Sequence, residues 1–174
     1  VSGGVFISTN SGNTWTRSWL TKAGITIATN VVSCLTQTTD GALYAGLASR
    51  FEGGGITGVY KSSDRGASWA LLASTDLPST GPNYFNQVNH IIAHPTKANV
   101  VAAATGNGGL QVSLDGGTTW NKKIACNGAG LGVSNCITLD WSSDGFELYA
   151  GFNGGLFYSG DYTTDCGLTG RGLV

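Results

Sequence analysis

Ten carboxylates are the residues of this sequence that could carry out acid–base chemistry. Cleavage of a glycosidic bond needs two of them, held about 5 to 9.5 Å apart across the bond. Half occupy short polar turn segments, where aspartate accepts hydrogen bonds from turn amides; these are Asp40, Asp64, Asp115, Asp144 and Asp161. The others are Glu52, Asp76, Asp140, Glu147 and Asp165. Glu52 and Asp76 form the candidate acid–base pair, although we favour solvated loop charges as their role.

The four cysteines and two histidines offer little metal or nucleophile chemistry. No C-x-x-C motif is present, so we expect no metal and no cofactor. His90 begins the same kind of predicted strand that carries Cys34 and Cys136, so a Cys–His nucleophile pair is one reading of these residues. A buried thiol or half-cystine is the favoured role for both cysteines. We expect two disulfides, Cys126–Cys136 across a Gly-rich loop and Cys34–Cys166, with four free thiols in a reducing compartment as the alternative.

The composition narrows the class of protein. Only 11% of the 174 residues are charged, the net charge is −1, and the nine Lys and Arg are scattered. Nucleic acid is therefore not an expected partner, since phosphate binding needs a basic stripe. No apolar run is long enough for a membrane span. With 28 Gly and many Ser and Thr, the chain favours an all-β fold with tight turns, and its composition is typical of exported proteins.

A short motif recurs along the chain. The motif first occurs as Ser8-Thr9-Asn10-Ser11-Gly12-Asn13-Thr14-Trp15. It occurs again at residues 62–69 and 113–120, and a decayed copy begins at Ser159. The starting serines lie 54, 51 and 46 residues apart. Asx at the third position can cap turn amides, Gly at the fifth accepts positive φ, and Trp begins the returning strand. The motif residues are Ser8, Asn10, Gly12, Trp15, Ser62, Asp64, Gly66, Trp69, Ser113, Asp115, Gly117, Trp120, Ser159 and Asp161.

Strand patterns surround each motif and predict a repeated four-stranded unit of about 50 residues. Short alternating strands precede the motifs, and Asp-Gly turns such as Asp40-Gly41 and Asp144-Gly145 join two further strands upstream. We expect a partial unit at 1–20, whole units at 31–74 and 88–124, and a partial unit at 135–174. The tail of the last unit shows no clear fourth strand.

The motif S-x-D-x-G-x-[ST]-W resembles the Asp-box, or BNR, repeat of sialidases, sortilin-type receptors, Ycf48-type assembly factors and family 74 xyloglucanases. The resemblance covers nearly the whole chain, and residues 93–120 are especially similar to a family 74 or Ycf48-like blade. It implies a β-propeller of about three and a half blades in which Asp boxes are structural. Departures from these families put catalysis in doubt: the D-x-G-G-x-Y-R stretch of family 74 is absent, and Arg50 is the single arginine in a loop suited to a sialidase site.

Three assemblies fit three and a half blades: a segment of a longer propeller, copies that pair open edges as a homo-oligomer or filament, or a small closed ring. Loops opposite the Asp-box turns hold the candidate binding residues for a protein or glycan partner; these are Arg50, Glu52, Tyr84, Phe85, Asn86 and His90. We therefore expect a non-catalytic extracellular interaction module. A segment of a secreted glycan-active enzyme resembling family 74, or a carbohydrate-binding propeller, is the alternative.

Overall fold

The computed structural model describes residues 4–22, 25–26, 31–48, 57–72, 87–106, 108–123, 135–153, 155–159, 162–163 and 169–171. All regular structure in these ranges is β-strand, and the strands form antiparallel sheets of two or four members. The all-β expectation is therefore confirmed.

The sheets follow one another along the chain, and four of them are named blades here. Blade 1 contains β1 (Val5–Ile7) and β2 (Thr16–Ser18), and a small hairpin of β3 (Thr21–Lys22) and β4 (Ile25–Thr26) follows it. Blade 2 contains β5 (Val31–Gln37), β6 (Leu43–Ala48), β7 (Gly58–Ser62) and β8 (Ala70–Leu71). Within each sheet every strand pairs with the next one along the chain, so every blade is a simple meander.

Blades 3 and 4 repeat the same order. Blade 3 contains β9 (Val88–Ala93), β10 (Val101–Thr105), β11 (Gly109–Ser113) and β12 (Asn121–Lys123). Blade 4 contains β13 (Cys136–Trp141), β14 (Leu148–Phe152), β15 (Gly155–Ser159) and β16 (Thr169–Arg171). The expectation that the last unit lacks a clear fourth strand was wrong, because β16 pairs with β15. Its sequence, Thr-Gly-Arg, is too short and too polar to show a strand pattern.

The core lies between blades and not within them. Alternate residues of a strand point to opposite faces of its sheet, so Tyr44 packs towards blade 3 while Ala45 packs towards blade 1. In β10, likewise, Ala103 faces blade 2 and Ala102 faces blade 4. Three buried clusters result, one at each contact between consecutive blades.

The first strands of blades 2, 3 and 4 each contain a bulge at the equivalent position. The extra residues are Ser33, Asn89 and Ile137. Ser33 Oγ donates to the carbonyl of Val88 in blade 3 at 2.5 Å, and Asn89 Nδ2 donates to the carbonyl of Cys136 in blade 4 at 2.6 Å. A bulge re-aims a side chain, and in blades 2 and 3 it turns a polar side chain towards the first strand of the next blade.

Candidate functional site

The motif turns share one hydrogen-bond pattern, and three of the four copies are described in full. The serine hydroxyl donates to the Asx Oδ1 atom at 2.7 to 3.0 Å and accepts the glycine N–H at 2.7 to 2.8 Å. The Asx Oδ1 atom also accepts the backbone N–H four residues later, at 2.8 to 2.9 Å. Asn10, Asp64 and Asp115 therefore act as turn caps with the same partners. Of the fourth copy, Ser159 ends β15 and Asp161 lies outside the described residues.

Hydrogen bonding keeps the turn carboxylates ionised. The Ser68 hydroxyl and N–H, followed by the Ser62 hydroxyl, lower the pKa of Asp64 to about 2. The Thr38 hydroxyl lowers the pKa of Asp40, and the Ser142 hydroxyl lowers that of Asp144. A general acid needs a proton at working pH, so these three carboxylates are poor proton donors and serve as acceptors in turns.

The turns also form the contact between blades. Gly66 has φ +86°, and a Cβ atom there would collide with Ile7 Cδ1 of blade 1. Gly117 has φ +92°, and a Cβ atom would lie 2.5 Å from Leu72 Cδ1 of blade 2. Glycine is needed at both positions because the backbone conformation is left-handed and because the preceding blade occupies the space.

One turn tryptophan has a different hydrogen-bond partner from its two counterparts. Trp15 Nε1 donates to Gly12 O at 3.0 Å, and Trp120 Nε1 donates to Gly117 O at 3.1 Å. Trp69 Nε1 instead donates to Ser18 Oγ of blade 1 at 2.9 Å, and that hydroxyl donates to Gly66 O. The Ser18 hydroxyl thus stands between an indole and a carbonyl that are bonded directly in the other turns.

A cavity of about 500 Å³ adjoins this contact between blades 1 and 2. Its wall includes Arg17, Trp19, Arg65 and Trp69. The Arg17 guanidinium lies 3.7 Å above the centre of the Trp19 ring, which is a cation–π arrangement. Arginine and tryptophan residues thus share the wall of this cavity, and we call it the Arg17 cavity.

A second, smaller cavity lies between blades 3 and 4 and contains a polar cluster around His94. His94 Nδ1 accepts the N–H groups of Thr96 and Lys97, both at 3.1 Å. Nε2 must then carry the ring proton, and it lies 2.9 Å from Gly145 O and 3.1 Å from the Tyr162 hydroxyl. Burial is the main influence that lowers the pKa of His94, so a neutral imidazole joins the two blades.

The binding residues expected from sequence are mostly outside the described part of the chain. Arg50, Glu52, Tyr84, Phe85 and Asn86 all lie there, as does Asp76. His90 is described on β9, where its Nδ1 accepts the Leu139 N–H of blade 4 at 3.0 Å. His90 therefore takes part in a contact between blades.

The described cysteines do not support the expected disulfides. Cys34 and Cys136 are free thiols, and Cys126 and Cys166 lie outside the described residues. Burial raises the pKa of Cys136 to about 12, and burial is also the main influence that raises the pKa of Cys34. Both thiols pack in the clusters between blades and are poor nucleophiles because the thiolate is disfavoured there.

Sequence reasoning missed the Arg17 cavity. Arg17 lies near the start of the sequence and Arg65 lies inside a motif, so neither position indicates a binding residue. The available signal was Ser18, since the equivalent position ten residues after the motif serine is Leu72 in blade 2 and Lys123 in blade 3. A single small residue at that position indicates a gap between blades.

The described ranges contain neither a metal-binding cluster nor a membrane-spanning helix. No group of three His, Cys, Asp or Glu that could hold a metal ion occurs among those residues. Within the same part of the chain, no helix has the length and apolar character needed to cross a bilayer.

Comparison with known proteins identifies the fold. No protein-family model and no protein of curated function matches the chain. A GH74 enzyme from Niastella koreensis aligns over 97% of this chain and 26% of its own, with 20% identity and a TM-score of 0.66. A GH74 xyloglucanase from Xanthomonas campestris aligns over 94% and 25%, with 16% identity and a TM-score of 0.65. The Dos1 propeller aligns over 97% and 38%, with 13% identity and a TM-score of 0.58.

These similarities establish the fold alone, because all the identities are below 25%. The chain is built of β-propeller blades, as its sequence predicts. It spans about a quarter of the length of each GH74 enzyme and 38% of the Dos1 propeller.

Proposed function

We propose that this chain is a non-catalytic, extracellular structural and interaction module of Asp-box blades. Its open blade edges pair either with the rest of a longer chain or with other copies of itself. The observation that carries the proposal is the exposure of Phe6 on β1, which is 53%.

The equivalent residues show what normally covers this position. Phe6 pairs with Arg17 as Tyr60 pairs with Leu71 and as Gln111 pairs with Lys122. Tyr60 and Gln111 are fully buried, and Tyr60 is covered by the cluster between its blade and the preceding one. β7 and β11 also each have a strand on both sides. β1 pairs with β2 alone among the described strands. An unpaired strand edge invites another strand, so we infer that β1 receives one.

A second open surface lies on the motif turn of blade 1. Trp15 is 61% exposed, whereas Trp69 and Trp120 are buried. The latter two belong to turns that pack against a preceding blade, through Ile7 and Leu72 respectively. We infer that a blade with an aliphatic side chain at the same position covers the Trp15 turn in the assembled protein.

The described carboxylates favour a non-catalytic role. Asp40, Asp64, Asp115 and Asp144 are engaged in turns. Glu147 accepts the Tyr149 hydroxyl, and Asp140 accepts the adjacent Trp141 N–H. The charge-poor composition supports an extracellular setting.

Light scattering after size exclusion, with amide hydrogen exchange at β1, tests the proposal. We expect the 174-residue chain to associate as its concentration rises, with protected β1 amides, and Phe6→Glu to reduce the association. Phe146→Glu is the matched control, since Phe146 is 73% exposed in the turn between β13 and β14, away from β1.

The same measurements distinguish the two possible partners of β1, which are other copies of the chain and the rest of a longer chain. A monomer with rapidly exchanging β1 amides would point to the rest of a longer chain. A monomer whose β1 amides exchange as slowly as those of β7 would contradict the proposal, because the edge would already be covered.

A family 74-like glycan-active segment, or a carbohydrate-binding propeller, is the second candidate function. The similarity to two GH74 enzymes over at least 94% of this chain favours it. Glu52 and Asp76 would be the acid–base pair, and Tyr84, Phe85 and Asn86 would contact sugar. Assays of xyloglucan hydrolysis and glycan binding test this candidate, and the absence of both activities would remove it.

A further inference from the structure

We propose that the contact between blades 3 and 4 responds to pH: it is closed while His94 is neutral and opens locally when the ring takes up a proton. The chain has two histidines, and both take part in hydrogen bonds between these two blades. The described bonds between blades 2 and 3 use hydroxyl groups and a lysine instead; they belong to Ser33, Thr36, Tyr44 and Lys61. The side chains that titrate near neutral pH are therefore concentrated at one contact.

The hydrogen bonds of His94 fit the neutral ring and not the imidazolium. The backbone N–H groups of Thr96 and Lys97 both donate to Nδ1, at 3.1 Å. In the imidazolium both ring nitrogens are donors, so a proton on Nδ1 would face these two N–H groups. His94 is 2% exposed, so the closed contact gives water no access to replace the lost bonds, and protonation is costly there.

The ring has no room to move aside while the contact is closed. A Cβ atom on Gly145 would collide with His94 Cε1, so the ring packs directly against the backbone of the blade 4 turn. The rings of Trp141 and Tyr162 lie beside it, with centroids 4.8 and 5.5 Å away. Relief of the unfavourable contact at Nδ1 therefore requires the turn at residues 94–99 to separate from blade 4.

The charged groups near the ring also oppose a second ring proton. The Lys97 ammonium donates to the Tyr162 hydroxyl at 2.6 Å, and that hydroxyl lies 3.1 Å from Nε2. Asp144 is held within the blade 4 turn, and no carboxylate of the described residues bonds to the ring. Burial lowers the pKa of His94, and the Lys97 charge lowers it further, against the opposing influence of the bond to Gly145 O.

Blade 4 can separate while its neighbours remain folded. Its buried residues in the described ranges belong to one cluster, which it shares with blade 3. Blades 2 and 3 each take part in two clusters. Because the stability of a repeat is its own contribution plus that of its interfaces, a blade with one interface opens at a lower free-energy cost than a blade with two.

Amide hydrogen exchange of the 174-residue chain between pH 8 and 5 tests the proposal, with protection factors corrected for the intrinsic effect of pH. Uptake of one proton on opening raises the opening equilibrium by up to about tenfold per pH unit below about pH 6.5. We expect the protection factors of β13, β14 and β15 to fall accordingly and those of β6 and β7 to stay unchanged. An equal fall in all blades, or no fall in blade 4, would overturn the proposal.

Two variants assign the effect to one ring. His94→Gln should abolish the pH dependence of protection in blade 4. His90→Gln is the matched control, because His90 lies at the same contact, is half-buried, and accepts one backbone N–H, that of Leu139. It should keep the greater part of the pH dependence. The reverse pattern in the two variants would refute the assignment to His94.

Nuclear magnetic resonance of the unmodified chain provides a measurement that does not depend on the folding of His94→Gln. The His94 ring, distinguished from His90 by the spectrum of His90→Gln, should be the Nε2–H tautomer at pH 8. It should titrate below about pH 6.5, together with the loss of protection in blade 4. A His94 ring that titrates at or above that value, or that takes up its proton while blade 4 stays protected, would contradict the proposal.

Discussion

Replacement of Gly117 by alanine tests whether the motif turns hold the blades together. At φ +92° an alanine is strained by about 1–2 kcal/mol. Its Cβ atom would also lie 2.5 Å from Leu72 Cδ1, and such overpacking costs about 1–3 kcal/mol more. We expect Gly117→Ala to lower the free energy of unfolding by about 2–5 kcal/mol in urea titrations followed by circular dichroism.

Gly12→Ala separates the two causes. Gly12 has φ +87°, but the nearest atom to its Cβ position is 3.9 Å away, on Trp15. This variant should therefore lose the strain contribution of about 1–2 kcal/mol alone. Adding Leu72→Ala to Gly117→Ala should give a loss smaller than the sum of the single losses, because the collision disappears. Equal losses for Gly12→Ala and Gly117→Ala, with additive double variants, would refute the reasoning.

Three further predictions concern single side chains. The pKa of Asp64 is about 2 in the folded protein and about 3.9 in the unfolded chain. The ionised Asp64 therefore stabilises the fold fully above about pH 3.9, and this stabilisation is lost as pH falls towards 2. Asp64→Asn should make Tm, measured from about pH 5 downwards, fall less steeply with acid. Because the pKa of His94 is lowered in the folded protein, the contribution of the neutral imidazole to stability is complete above about pH 6.5 and declines below it. His94→Gln should therefore reduce the dependence of Tm on pH between about pH 7 and 5. Ser33→Ala removes the hydroxyl whose single hydrogen lies between Val88 O and Gly46 O, so it should lower the free energy of unfolding in urea by about 1 kcal/mol. An unchanged midpoint would contradict that role.

The motif turns could be predicted from the sequence, whereas the contacts between blades could not. Serine, Asx and glycine within five residues determine a turn by themselves, so the motif indicated where hairpins form. Strand β16 and the β3–β4 hairpin escaped notice because two or three residues show no periodicity. Ser18, Trp69 and Gly66 come together across 48 to 51 residues, and only the arrangement of blades reveals that bond. The expected Cys126–Cys136 and Cys34–Cys166 pairings relied on loop composition, which says nothing about the burial of the thiols.

The alternation of strand residues between two neighbouring clusters has a thermodynamic consequence. A blade of this kind has no core of its own, and its stability comes from the interfaces with its neighbours, as in other repeat proteins. An open row of blades has one interface fewer than it has blades, and the three buried clusters here serve four blades. Closure into a ring adds an interface between blades that are already ordered. This interface therefore stabilises the ring without the entropic cost of ordering another blade. The last contact to form is thus expected to make unfolding cooperative for the whole ring.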